Sequence, residues 1–240
     1  MKRLIAAAAL ALTASASMAA DDLNLIANLN QSEFDGLSKD LTAAFSYKAG
    51  APAEALGITG FDIGLAVTST KLENTAAWTA AMSSGDTIST LVVPKLYLQK
   101  GLPFDIDVGA FYVSVPGTNV DAWGGEIKYA VISGNVALPA VAVRGAISTL
   151  TAADQLELKT RSLDVSISKS ILFVTPYVGV GRVWGDSKPL VAGASAAAYD
   201  ISETRSFIGV SIAPAFFNLA FERDSVGGIA SYNLKLGIAF

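Results

Sequence analysis

Ser231-Tyr232-Asn233-Leu234-Lys235-Leu236-Gly237-Ile238-Ala239-Phe240 ends the chain, and its alternation decides the fold. Successive side chains of a strand point to opposite faces. Tyr232, Leu234, Leu236, Ile238 and Phe240 therefore share an apolar face, and Ser231, Asn233, Lys235, Gly237 and Ala239 share one that is polar or small.

The same period recurs upstream. Phe61, Ile63, Leu65 and Val67 oppose Gly60, Asp62, Gly64 and Ala66, and Trp123, Ile127, Tyr129 and Val131 oppose Gly124, Glu126, Lys128 and Ala130. Val141, Val143 and Ile147 oppose Ala142, Arg144, Ala146 and Ser148; Leu163, Val165 and Ile167 oppose Ser162, Asp164, Ser166 and Ser168. Phe217, Leu219 and Phe221 oppose Asn218, Ala220 and Glu222. The pattern predicts ten strands, at 58–70, 89–99, 105–115, 122–132, 139–149, 157–168, 173–184, 202–212, 216–225 and 229–240. Each is close to the roughly 9–11 residues with which a tilted strand crosses a bilayer. Shorter links (100–104, 133–138, 169–172, 214–215) tend to alternate with longer ones (71–88, 116–121, 150–156, 185–201), although the last link, 224–228, is short. Tight turns at one end and longer loops at the other are the pattern of an outer-membrane barrel.

Composition agrees. The 240 residues are 52% hydrophobic and 16% charged, yet beyond the N-terminus no apolar run reaches the roughly 18–20 residues of a membrane helix. A soluble β-sandwich also alternates, but its polar face would be charged, whereas here that face is rich in Gly, Ala and Ser. The predicted fold class is all-β: a closed antiparallel transmembrane β-barrel of ten strands, with twelve as the alternative.

The terminal Phe240, preceded by apolar residues at every second position (Ile238, Leu236, Leu234, Tyr232), resembles the final strand of bacterial outer-membrane β-barrels. That resemblance implies recognition of these residues by the barrel assembly machinery. The runs 58–64 and 100–111 resemble those of uncharacterised proteobacterial barrel proteins, which implies the fold and assigns no activity. Trp123 and Trp184 at one set of strand ends, with Phe173 and Phe240 at the other, are candidates for two interfacial aromatic girdles. Lys159, Arg161 and Arg182 near the outer strand ends are candidates for contact with lipopolysaccharide phosphates, or are simply solvated charges.

Before the barrel, Lys2 and Arg3, the apolar stretch 4–12 and small residues at Ser17 and Ala19 read as a signal peptide over residues 1–19. Its removal takes two cations from an already acidic chain of 17 basic and 21 acidic residues, which makes a nucleic-acid partner a poor expectation. Residues 20–57 form a separate N-terminal segment, with the barrel assigned to 58–240. Ser32 with Asp35 resembles a helix start, and Phe34, Leu37, Leu41, Ala44 and Phe45 recur at helical spacing, predicting an amphipathic helix over 32–47. It would plug the lumen or lie at the periplasmic mouth. The same region also reads as a strand, which with residues 23–29 would make twelve. If both chain ends lie at the periplasmic mouth, the strand number must be even, and ten and twelve both satisfy this.

The expected lumen-facing polar residues are Asp62, Lys95, Asp107, Glu126, Lys128, Arg144, Asp164, Glu222 and Lys235, with Asp105 beside them. In a narrow barrel such charges persist only when paired. They form either a ladder of salt bridges or a polar constriction selecting a small solute, hydrophobic molecules included. Wide general porins have about 16–18 strands and are disfavoured. The chain has neither His nor Cys, so the histidine-dependent catalytic sets are absent and no enzymatic activity is expected. Asp105 and Asp107 alone make a poor calcium site, since that ion takes about 6–8 oxygens. No cofactor is implied.

Overall fold

The computed structural model describes residues 23–82, 87–114, 120–152 and 155–240. The expected signal peptide lies outside the described residues. Ten strands follow one another around a closed antiparallel barrel: β1 Phe61–Lys71, β2 Thr90–Leu102, β3 Ile106–Ser114, β4 Val120–Ile132, β5 Ala140–Ala152, β6 Leu156–Ser168, β7 Val174–Pro189, β8 Tyr199–Ile212, β9 Phe217–Val226 and β10 Ile229–Ala239. The ends join by pairing β1 with β10, from Asp62 opposite Ala239 to Thr70 opposite Ser231. Closure leaves no free edge, which removes the unpaired backbone groups that an open sheet exposes.

The period-two pattern sets the two faces. Along β10, Ser231, Asn233 and Lys235 are at most 3% exposed, while Tyr232, Leu234, Leu236 and Ile238 are 41–50% exposed. The apolar side chains face outward and the polar ones inward, the reverse of a soluble barrel. Phe61 N–H donates to the Phe240 carbonyl and the two rings stack, so the start of β1 and the end of β10 share one mouth with the 102–106, 168–174 and 212–217 turns. We call this the turn mouth; the opposite one is the loop mouth.

Among the described residues a 3-10 turn, Ile26–Asn28, and two α-helices complete the fold: α1, Gln31–Phe45, and α2, Thr75–Ala81, the latter inside the β1–β2 connection. The helix start differs from expectation. Asn30, not Ser32, caps α1: its side chain accepts from Glu33 N–H, and the Glu33 carboxylate accepts from Asn30 N–H. Asn with Glu three residues on satisfies two otherwise unpaired donors, which the Ser32 and Asp35 combination does less well. Phe34, Leu37, Leu41, Ala44 and Phe45 are all buried, as their spacing predicts. The twelve-strand alternative is therefore set aside, because residues 41–45 lie in α1 and neither 23–29 nor 46–48 pairs as a strand.

Candidate functional site

The site is the lumen, which the N-terminal segment fills from end to end. At the loop mouth, Gln31 bonds the Ala197 backbone in the β7–β8 loop. Two helical turns deeper, Ser38 donates to Ser187 Oγ at 2.8 Å. Past the end of α1, Lys48 Nζ reaches Asp224 at 2.7 Å and Gly50 N–H donates to Glu222 at 2.9 Å. Deeper still, Ala53 N–H donates to Ser168 Oγ at 3.1 Å, and Lys128 Nζ donates to the carbonyls of Pro52 and Glu54. Leu56 N–H donates to Asp107, and Gly57 lies against Gly101 beside the β2–β3 turn.

This path overturns one premise of the strand-parity expectation. The barrel's own ends share the turn mouth, but Leu23 lies at the loop mouth with Ile26, Trp78 and Ala81, and Leu25 N–H donates to the Ala81 carbonyl. The segment through the lumen makes one further crossing, so an even strand number coexists with Leu23, the first described residue, at the mouth opposite Phe240.

Small inner-face residues make room for it. A side chain at Gly109 would stand 2.7 Å from Tyr47 Oη, and one at Gly185 would stand 2.9 Å from Thr42 Oγ1.

The barrel's buried charges form a ladder. Arg144 lies 3.6 Å from Glu126 and 2.9 Å from Asp164; Arg205 lies 3.1 Å from Asp164 and 2.6 Å from Asp224, and Asp224 also holds Lys48. Lys128 pairs with Asp107 at 2.9 Å. On the other side of the lumen, Asp62 accepts from Lys235, Asn218 and Tyr97. Charges in a low-dielectric interior are strongly destabilising alone and tolerable when paired, so the ladder and the plug hold each other in place. Lys95 differs: it is buried with no hydrogen-bond partner among the described residues, its ammonium 5.0 Å from the Phe111 ring centroid. It lines a space of about 30 Å³ with Tyr97, Phe111 and Lys235, large enough for water and too small for a solute.

The structure thus places Asp62, Lys95, Asp107, Glu126, Lys128, Arg144, Asp164, Glu222 and Lys235 inside the barrel. Asp105 is a correction. It lies exposed in the β2–β3 turn at positive φ and accepts from Ser133 Oγ, so it shares no face with Asp107. Trp123, Phe173 and Phe240 are more than half exposed on the outer wall.

Four residues central to the lumen were not anticipated. Arg205 lies in a polar run where alternation is silent. Asp224 continues the Asn218, Ala220, Glu222 face by one further step, which was the signal available. Lys48 lies past the end of the helix, where no periodicity applies. Asp40, fully buried on α1, accepts from Trp78 Nε1 at 3.0 Å and from Asn74 N–H at 3.0 Å. It fastens the β1–β2 connection over the plug, so the described part of that connection is a lid with Trp78 buried.

No family model matches this chain, nor does any curated protein. Among solved structures, the N-terminal β-barrel domain of Pseudomonas aeruginosa OprF matches 75% of this chain and 99% of its own, at 13% identity and a TM-score of 0.38. The KdgM porin matches 76% of this chain and 99% of its own, at 8% identity and 0.36. OprG from Pseudomonas aeruginosa matches 79% and 99%, at 9% and 0.35. At these scores the likeness carries no weight for function, and the fold rests on the strand pairing itself.

Proposed function

We propose that this protein is an integral outer-membrane β-barrel, closed in its resting state by its own N-terminal segment: a plugged conduit, not an open pore. Its outer wall supports the membrane reading. Leu98, Tyr112, Ile127, Ile147, Leu163, Val180, Ile208, Phe221 and Leu234 are all 43–61% exposed and span nine consecutive strands of the ring. Soluble monomers rarely expose a contiguous apolar patch beyond about 300–600 Å², and an apolar belt of this extent needs lipid around it. Trp123, Trp184, Phe173 and Phe240 then act as interface anchors, and residues 232–240 serve as the assembly signal.

The observation that carries the closed state is the series of plug contacts at each level of the lumen. Hydrogen bonds to charged groups contribute about 1.5–3 kcal/mol each, and expelling the plug breaks several together. Solute passage, for a small molecule, therefore requires displacement of the segment. Planar bilayer recording tests this. The full-length protein is expected to be silent, and a barrel lacking residues 20–50 to show discrete steps. A steady conductance from the intact chain contradicts the proposal.

A second reading, a non-transporting barrel that presents its loop mouth to partners, is favoured by the apolar cluster sealing that mouth, in which Ile26, Leu29, Phe34 and Trp78 are at most 3% exposed. It prevails if the deleted barrel inserts and stays silent.

A further inference from the structure

On the outer wall, Arg161 of β6 and Arg182 of β7 are exposed, and neither has a partner among the described residues. Arg161 stands opposite Trp184 and Arg182 opposite Leu163, which makes the two arginines diagonal neighbours. Such positions lie about 7–8 Å apart, close enough for long side chains to meet one ligand. Of the other outer cations, Lys71 pairs with Glu73, Lys159 with Glu157, and Lys100 and Lys169 donate to backbone carbonyls; Arg223 of β9 and Lys188 of β7 are exposed and, among the described residues, without a partner, but neither lines the groove beside Arg161.

From Arg161 a groove of about 500 Å³ runs across β5 and β4, with Ile147 and Ile127 as walls and Gly145 and Gly125 as floor. Nothing within the chain requires glycine at those two positions. Neither has a positive φ, and an added Cβ would meet no atom nearer than 3.5 Å at Gly125 or 4.0 Å at Gly145. At the adjacent Gly124, a Cβ would come within 2.4 Å of Phe111. Glycine inside a strand weakens it, and commonly marks close approach by something else.

We propose that this groove binds one phosphorylated, multiply acylated lipid of the leaflet nearest the loop mouth, the chemistry of lipopolysaccharide's membrane anchor. An acyl chain lies over Gly125 and Gly145, and phosphate oxygens accept from Arg161 and Arg182. Guanidinium groups match phosphate geometry with paired donors, and Trp184 beside Arg161 sets that pair at the depth where headgroups begin. A second copy of the chain fits less well. Two barrels related by a two-fold axis along the membrane normal would bring Arg161 against Arg161, like charge on like.

The proposal rests on the membrane reading, and the test separates the two. Full-length protein and variants are first checked for bilayer insertion by heat-modifiable gel mobility. They are then titrated with deep-rough lipopolysaccharide, its dephosphorylated form and phosphatidylglycerol, with bound lipid and oligomeric state read by native mass spectrometry. The wild type is expected to hold one lipopolysaccharide in preference to the other two. R161Q/R182Q is expected to weaken it by about tenfold or more, the loss of one or more charged hydrogen bonds. G145L, which keeps the charges and fills the floor, is expected to weaken it similarly. Insertion with equal binding by wild type and both variants overturns the lipid site alone. Equal retention of phosphatidylglycerol overturns the choice of lipid, and a dimer lost in G145L assigns the groove to a second copy. Failure of the wild type to insert overturns the membrane reading and this proposal together.

Discussion

Lys48 Nζ lies 2.7 Å from Asp224 Oδ1, joining the plug to the wall of β9 with both side chains at most 3% exposed. Asp224 also takes Arg205 at 2.6 Å, so a single carboxylate neutralises one cation from the plug and one from the barrel. Asp224→Ala leaves two buried cations short of a counter-charge. Breaking a buried pair costs about 3–5 kcal/mol. Urea unfolding of the reconstituted protein is expected to show a loss of that order, with a smaller loss for Asp224→Asn, which keeps the shape.

Ser38 and Ser187 offer a covalent test of plug position. Their hydroxyl oxygens are 2.8 Å apart, and the chain contains no cysteine. Replacement of both by Cys sets two side chains that already touch end to end facing each other, and a disulfide closes once their β-carbons come within about 3.5–4.5 Å. The pair is expected to oxidise without added catalyst, read as a reductant-sensitive gel shift, and to block any conductance produced by loosening the plug.

Asp40 is expected to govern the lid. Asp40→Ala leaves Trp78 Nε1 and the Asn74 N–H without an acceptor, at about 1–3 kcal/mol for an unsatisfied buried group. Limited proteolysis is expected to cut within residues 71–90 faster than in the wild type, and Trp78 emission to shift to the red, with the barrel strands still protected.

Leu234 distinguishes lipid from water outside the barrel. It is half exposed on β10, between Val67 of β1 and Phe221 of β9. In a bilayer, Leu234→Arg is expected to cost up to about 2–4 kcal/mol near the midplane. On a water-facing surface the same change falls within about 0.5 kcal/mol. Folding titrations in lipid vesicles measure the difference.

The barrel was legible because strand alternation is a local property. Tyr232 to Phe240 and Ile63 to Val67 carry their facing direction in their own order, and expected strand ends lie within a few residues of the observed ones. Lumen residues on apolar-alternating strands, such as Arg144 and Lys235, were legible for the same reason. Arg205 was not, because its neighbours Thr204 and Ser206 are polar too, leaving no contrast between faces. The path of residues 46–57 was also hidden. It is held by backbone groups such as Gly50 N–H and Leu56 N–H meeting side chains more than fifty residues away, a long-range relationship with no local pattern.

The central claim is that residues 23–57 cross the lumen from the loop mouth to the turn mouth. Single cysteines at Asn28, at Ser195 in the β7–β8 loop and at Val136 in the β4–β5 turn, each labelled on intact cells with a membrane-impermeant maleimide, test it most directly. Asn28→Cys and Ser195→Cys are expected to label together while Val136→Cys labels only after the cells are opened. Labelling of Asn28→Cys in step with Val136→Cys would contradict the threaded plug.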